Sequence, residues 1–386
     1  MKLKDICKFV NEKVDTSSFH LEDYVSTENL LPNKGGVTVA SKIPQGKATL
    51  FKKGDILISN IRPYFKKIYL AKKQGCCSND VLCIRPNSNI PSSYLYYLLS
   101  QDSFFDYVMT GAKGTKMPRG DKGHIMNWAV YQSTLSQQQN IAEILTPLDD
   151  KIAVNSRICA NLEAQAEALF KSWFVDFTPF KDQPFVDSEL GSIPQGWKVG
   201  KLGDYCECVL GGTPSRSESS YWNGDIAWIN SGEVNKFRIC TPSEFITSKG
   251  LDNSSTKLLP KKTTVLAITG ATLGQISILE IDSCANQSVI GIKQNDNMPY
   301  EFIYPTVKVN IKRLLNLQTG GAQQHINKNN VQNLFIVYPP KFILQKYKEH
   351  TKCIYSKIST LCFENQRLAA LRDTLLPKLM SGEIKL

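Results

Sequence analysis

From Ile141 to Trp173 the chain reads IAEILTPLDDKIAVNSRICANLEAQAEALFKSW. Stepped alternately by four and three, this stretch gives Ile141, Leu145, Leu148, Ile152, Asn155, Cys159, Leu162, Ala166, Leu169 and Trp173. A mainly apolar set that recurs every 3.5 residues is the mark of a helix with a coiled-coil seam. The same stepping through the last part of the chain gives Tyr347, Thr351, Ile354, Ile358, Leu361, Asn365, Leu368, Arg372, Leu375 and Leu379. Two seams of equal length in one chain most simply pack on each other, and the reading is an antiparallel pair. Asn155 and Asn365 are polar seam residues of the kind that fix register at some cost in stability. Pro147 removes a backbone donor, so the spacing predicts a break at Thr146-Pro147. The main rod is then Leu148 to Phe177, stopped by Thr178-Pro179. Such a rod is about 45 Å long.

Working outward, the two seams belong to a larger duplication. Lys2-Leu3-Lys4-Asp5-Ile6-Cys7 returns as Lys201-Leu202-Gly203-Asp204-Tyr205-Cys206. Cys76, Val81 and Ile84 return as Cys284, Val289 and Ile292, and Val130-Tyr131 returns as Val337-Tyr338. The period is far longer than the roughly 20–50 residues of a solenoid, so a whole domain is repeated. Each half reads as a mixed part followed by a long helix. Strands are predicted at Ala48–Phe51, Ile56–Ile58 and Val81–Ile84, with counterparts at Val265–Ile268 and Ser288–Ile292; helices are predicted at Ser92–Leu99 and Tyr300–Leu317.

The chain has 386 residues, 42% of them hydrophobic, and a formal net charge of +11. That length accommodates two ordinary cores, and the charge favours a polyanionic partner, nucleic acid before a membrane surface. Eleven cysteines include no CxxC pair, which reads as reduced cytoplasmic thiols and not a disulfide framework. No apolar run reaches the roughly 18 residues of a membrane span.

Catalytic apparatus is not visible. GxxxxGK[ST] is absent, Thr269–Gly274 lacks the GxGxxG spacing, and no Asn-Pro-Pro-Tyr or Asp-Pro-Pro-Tyr stretch is present to hold a flipped adenine. His20, His124, His325 and His350 are scattered and suggest no metal site. The positive signals are for nucleic-acid contact. Gly111–His124 is glycine-rich and carries Lys113, Lys116, Arg119 and Lys122. Glycines allow close backbone approach, and lysine and arginine neutralise phosphates. Asn60-Ile61-Arg62-Pro63-Tyr64-Phe65-Lys66 interleaves amide, guanidinium and aromatic groups, which suit base edges in the major groove. The matching loop of the second half, Gly320–Asn330, is rich in amides, and its candidates are Gln323, Gln324, Asn327 and Lys328. Thr213, Ser215, Arg216 and Gln275 complete the candidate set, while Trp222 and Trp228 fit a core better than a contact surface. Phe170, Trp173, Phe174 and Phe177 suit either a docking surface or a cap on the domain core.

Several of these residues carry a resemblance. Gly212-Thr213-Pro214-Ser215, Tyr221-Trp222, Gly224-Asp225-Ile226 and Trp228 form one block; Leu148-Asp149-Asp150-Lys151-Ile152 forms another. With them go Leu162-Glu163-Ala164, Phe170–Phe177, Ile193-Pro194-Gln195-Gly196-Trp197 and Leu375–Gly382. Taken together, the chain resembles the specificity subunit of type I restriction-modification systems. The resemblance implies an α+β chain: two similar mixed α/β target-recognition domains separated by two long antiparallel coiled-coil helices, with a pseudo-two-fold internal repeat. The expected division is 1–134 and 191–340 for the recognition domains, 135–180 and 341–386 for the spacer helices, and 181–190 for a linker. Each domain would read one part of a split double-stranded DNA site. The helices would dock DNA methyltransferase subunits, two of them, and restriction/translocase subunits would join the complex. S-adenosylmethionine and ATP would be held by those partners, with no cofactor in this chain. The readings from other classes are a fused methyltransferase or nuclease with its own catalysis, and a coiled-coil scaffold with no DNA role.

Overall fold

The computed structural model describes residues 1–317 and 325–385. They form two compact units: residues 1–152 with 368–386, and residues 153–367. Both long helices therefore contribute to both units, a division unlike the expected one in which the helices stand apart from the domains. The physical reason lies in the helix faces, each of which buries its apolar stripe against the domain beside it.

In the first unit, strands β1 (Cys7–Phe9), β2 (Lys13–Asp15), β3 (Tyr24–Val25), β4 (Lys47–Phe51), β5 (Ile56–Ser59), β6 (Ile68–Leu70), β7 (Gly75–Cys77) and β8 (Val81–Pro86) make two sheets, in the orders β1-β8-β5-β6 and β2-β4-β7-β3. The central strands β5 and β8 read as continuous apolar runs because they are covered on both faces. Ile56, Ile58, Leu82 and Ile84 point to one core, shared with the helices Ser92–Leu99 and Asp102–Thr110. Leu57, Val81 and Cys83 point to a second core, shared with Phe51 and Cys77 of the other sheet. This is the period-2 alternation of strands applied to a two-sided sheet.

The second unit adds β9 (Phe185–Ser188), β10 (Gly191–Pro194), β11 (Lys198–Lys201), β12 (Cys208–Leu210), β13 (Trp222–Ile229), β14 (Glu244–Ile246), β15 (Thr264–Ala267), β16 (Ile276–Ile278), β17 (Cys284–Ala285), β18 (Val289–Ile292) and β19 (Phe335–Tyr338). Its main sheet, β12-β18-β15-β16, repeats the order β1-β8-β5-β6 strand for strand. The repeat holds at single hydrogen bonds. The Lys2 N–H donates to Asp5 at 2.7 Å and the Lys201 N–H to Asp204 at 3.2 Å. The Cys7 thiol donates to the Leu3 carbonyl and the Cys206 thiol to the Leu202 carbonyl. The predicted helix Tyr300–Leu317 is two helices, Tyr300–Val309 and Ile311–Leu315, because Asn310 leaves helical geometry.

The first long helix runs unbroken from Leu135 to Phe174, 40 residues, and the second from Lys341 to Met380. The break expected at Thr146-Pro147 does not occur. Pro147 and Glu143, whose carbonyl loses its donor, are both exposed, so the freed carbonyl lies where solvent can satisfy it. The helix ends at Phe174, not Phe177, which takes left-handed geometry (φ 51°). In the first unit, Arg372 donates to Asp149 at 2.6 Å. In the second, Asn155 meets Asn365, Cys159 meets Ile358 and Phe174 meets Tyr347. Numbers rising on one helix fall on the other, so within each unit the pair is antiparallel.

The buried seam departs from the 3.5 period. Asn155, Cys159, Glu163, Ala166, Phe170 and Phe174 are the most buried positions, displacing Leu162, Leu169 and Trp173 by one residue. An ordinary α-helix advances 3.6 residues per turn and drifts off a heptad repeat unless the rods supercoil. The segment 181–190, expected as a linker, carries a strand of its own. Strand β9 pairs with β10, and Phe185 packs on Phe177 at 5.9 Å. Among the described residues no helix is long and apolar enough to cross a membrane.

Candidate nucleic-acid interface

In the first unit the two loops singled out in the sequence form one surface. The loop after β5 carries Asn60 to Lys67, and the glycine-rich loop spans Gly111–His124. Ile61 and Lys113 each form a bridge with Arg119, and the Arg62 N–H donates to the Pro118 carbonyl at 2.8 Å. Arg62 and Lys66 both have positive φ, 50° and 52°. They flank the short turn Pro63–Phe65, which holds the Tyr64 ring exposed against Phe65 at 4.7 Å. Among the described residues, Asn60 Oδ1 and Arg62 Nε are buried without a hydrogen-bond partner. An unsatisfied polar atom of this kind costs roughly 1–3 kcal/mol, and a bound ligand or water would relieve it.

The cations on this surface are differently engaged. Arg119 pairs with Asp80 at 3.1 Å, Lys113 with Asp121 at 2.9 Å and Lys66 with Asp102 at 3.0 Å. Lys122 lies over the Phe9 ring. Lys116 is exposed and, among the described residues, has no ion-pair partner. The hydrogen bond from Lys113 and that from the His124 N–H hold the Asp121 carboxyl down at about 2, so it stays charged at neutral pH. Solvent and salt screen exposed pairs of this type, which leaves a phosphate able to replace the carboxylate.

The second unit builds the same arrangement. The bridge Ile61–Arg119 recurs as Thr269–His325, and Gly120 N–H to Asn60 carbonyl recurs as Ile326 N–H to Ile268 carbonyl. Asp121 caps the helix Lys122–Met126, and Asn327 caps Lys328–Gln332. Several candidates are committed to this framework. Asn327 and Asn330 bond reciprocally at 2.9 Å, so the Asn327 Oδ1 caps the helix. Arg216 pairs with Glu244 and stacks on Trp222 at 3.6 Å. Its guanidinium is thus held on the protein while the residue stays exposed. Ser215 bonds Ser217 at 2.7 Å, and Thr213 donates to Gln287. Lys328 lines a cleft with Asp204, Cys208, Asn295 and Gln332. Gln275 is half-buried at the turn into β16; Gln323 and Gln324 lie outside the described residues. Trp228 is in the core, its indole N–H bonded to the Gly212 carbonyl.

A family model described as "Type I restriction modification DNA specificity domain" matches residues 1–164 and 194–371. The chain belongs to this family. The specificity subunit of the type I restriction enzyme HindI of Haemophilus influenzae is 27% identical, over 99% of this chain and 98% of that protein. The MjaIX specificity subunit of Methanocaldococcus jannaschii is 27% identical over 94% and 85%. The crystal structure of a type I S subunit from M. genitalium aligns with a TM-score of 0.58 and 15% identity, over 98% and 95% of the two chains, and shows the same fold.

Membership of the specificity family makes this a non-catalytic chain whose role is DNA-sequence specificity. The family domain occurs twice, and so does the loop surface. Sequence reasoning missed the loop after β7. There Asn79 accepts from Lys13 at 2.6 Å and Asp80 anchors Arg119, while Gln287 in the second unit holds Thr213. Its signal was the Cys76 to Cys284 repeat, read only as a mark of the duplication. The aromatics offered as a docking surface divide: Phe170 and Phe174 are buried with Phe302 and Tyr347, and Trp173 and Phe177 pack around them. They cap the domain core.

Proposed function

We propose that the chain reads a bipartite double-stranded DNA site, one part on each unit, as the specificity subunit of a type I restriction-modification complex. The observation that carries this is the repeated loop surface, with topologically equivalent bridges at Ile61–Arg119 and Thr269–His325. Asn60, Arg62, Tyr64, Lys113, Lys116 and Arg119 form the reading face of the first unit; Thr213, Gln275 and residues near His325 form that of the second. Methyltransferase subunits, two per chain, dock on the long helices, and restriction/translocase subunits complete the complex. S-adenosylmethionine and ATP bind those partners in the cytoplasm, and the purified chain neither methylates nor cuts DNA. Single-molecule methylation mapping of DNA modified by the assembled complex tests the proposal. It expects two short specified tracts separated by an unspecified gap, and a single continuous tract would contradict it. S-adenosylmethionine binding by the isolated chain would favour the fused-enzyme reading, and equal affinity for cognate and random DNA in the complex the scaffold reading.

A further inference from the structure

Residues other than glycine rarely adopt a left-handed backbone, and where they do the surroundings must hold them there. Among the described residues seven non-glycine positions have a positive φ, and four of them meet at one place in the first unit. Asn33 and Lys34 (53° and 61°) lie in one segment, Arg62 and Lys66 (50° and 52°) in the other. The Asn33 N–H donates to the Phe65 carbonyl at 2.8 Å, and the Lys34 N–H to the Lys66 carbonyl at 2.9 Å. The segment around Lys34 therefore backs the turn that presents Arg62 and Tyr64.

Side chains carry the connection onward to the long helices. Lys66 Nζ lies 3.0 Å from Asp102, the first residue of the helix Asp102–Thr110. Lys34 Nζ lies 3.4 Å from the same carboxylate and 3.9 Å from Asp373 on the second long helix. Asp373 pairs with Arg372 at 2.9 Å. Arg372 donates to Asp149 of the first long helix at 2.6 Å, and Asp149 also accepts from the Tyr97 hydroxyl at 2.9 Å. A continuous series of charged groups thus runs from the reading turn to both long helices, all within one compact unit. The Lys34 and Arg372 side chains at its centre are 12% and 13% exposed, so salt screens them less than it screens surface pairs.

We propose, on the reading that Arg62 contacts a base, that Lys34 is a positioning residue for sequence readout. It fastens the reading turn of the first unit to the second long helix through Asp102 and Asp373. Lys34 acts through Arg62 and touches no base itself. Its two tasks are divided: the backbone holds the turn, and the ammonium holds the backbone in place between two carboxylates. A strained turn relaxes when such constraints are removed. Relaxation would move the Arg62 guanidinium, and a bidentate contact to a base edge depends on fixed geometry.

The test is single-molecule methylation mapping with the assembled complex, on the cognate site and on sites with one altered base pair in the first tract. Lys34→Met keeps the apolar stem and removes the charge. Asp373→Asn removes the charge of the helix partner with little change in shape; Asp373 is exposed, so this variant decides the matter even if Lys34→Met does not fold. Each should lower the ratio of cognate to altered methylation in the first tract by about fivefold or more, the low end of what one base contact contributes. The second tract should read as before, and Lys34→Arg should restore the ratio. Combining Lys34→Met with Asp373→Asn should cost no more than either alone, within about twofold, because both cut one connection. Arg62→Ala is the control for the reading itself. If Arg62→Ala lowers the ratio and the Lys34 and Asp373 variants leave it intact, Lys34 has no positioning role. If Arg62→Ala leaves it intact as well, the base contact and the proposal fall together. Equal losses in both tracts would mark a general loss of structure and would also overturn the proposal.

Discussion

At the scale of single residues, the reading surface separates into side chains already satisfied by the protein and side chains that are not. Arg62 belongs to the second group, with Nε buried and without a partner among the described residues. Arg62→Ala should cost about 1–3 kcal/mol of affinity at one base position. Lys116→Ala should instead weaken binding to every sequence and lower the salt slope by about one unit. Titrations of the assembled complex against single-position DNA variants at several salt concentrations separate the two; identical profiles would remove the distinction. Gly211 is a different case, because an added Cβ would lie 2.1 Å from the Asn286 carbonyl oxygen. Gly211→Ala must displace the Thr213 loop, so methylation mapping should show loss of specificity in the second tract only. The chemistry of these loops was legible in the sequence, since Gly, Lys and Asn state it directly. Their commitments were not. Arg216 is bound by Glu244 and Arg119 by Asp80, partners distant along the chain that only the fold brings near.

At the scale of elements, the two helices were the most legible feature, because a sustained apolar period survives without any tertiary information. Their register was less so, as Phe170 and Phe174 replaced Leu169 and Trp173 once the helix kept its ordinary pitch. What the period could not reveal is a buried charge. Glu163 sits on the buried face and accepts from Arg238, whose side chain is 1% exposed. Glu163→Ala leaves that guanidinium without its nearest counter-charge and should cost roughly 3 kcal/mol, read from urea unfolding. Burial raises the Glu163 carboxyl, but the charge and hydrogen bond of Arg238 outweigh it and hold it below the usual range. A carboxyl lowered in the folded state stabilises above its unfolded pKa, near 4.3, and that contribution disappears as pH falls through the folded value. Glu163→Gln should therefore flatten the acid limb of the stability profile between about pH 5 and 3. If the wild type and the variant lose stability in parallel, the pair is not what the acid limb reports. Asn155 makes the opposite case. It bonds Asn365 at 2.9 Å, yet its Oδ1 is buried without a partner among the described residues. Asn155→Leu should raise the melting temperature while loosening the helix register, which cysteine cross-linking across the seam can follow.

At the scale of the whole molecule, the duplication makes each half a near-copy of the other, and the core positions show how far. Ile141 and Leu145 share a core with Leu376 and Met380 in the first unit, while Phe170 and Phe174 share one with Ile343 and Tyr347 in the second. A chain truncated after the first long helix keeps Phe170 and Phe174 and lacks Leu376 and Met380. Two such copies can exchange helices, each covering the other's exposed core. Sedimentation should find a dimer, and mapping with the partner subunits should find a palindrome of the first tract; a folded monomer would contradict this. The same sharing has a consequence for biosynthesis. Residues 368–386 complete the first unit, yet the ribosome makes them only after every residue of the second. The domain that begins first is closed last. Its hydrophobic face must wait, open to chaperones and to neighbouring nascent chains, through the synthesis and folding of the domain inserted within it.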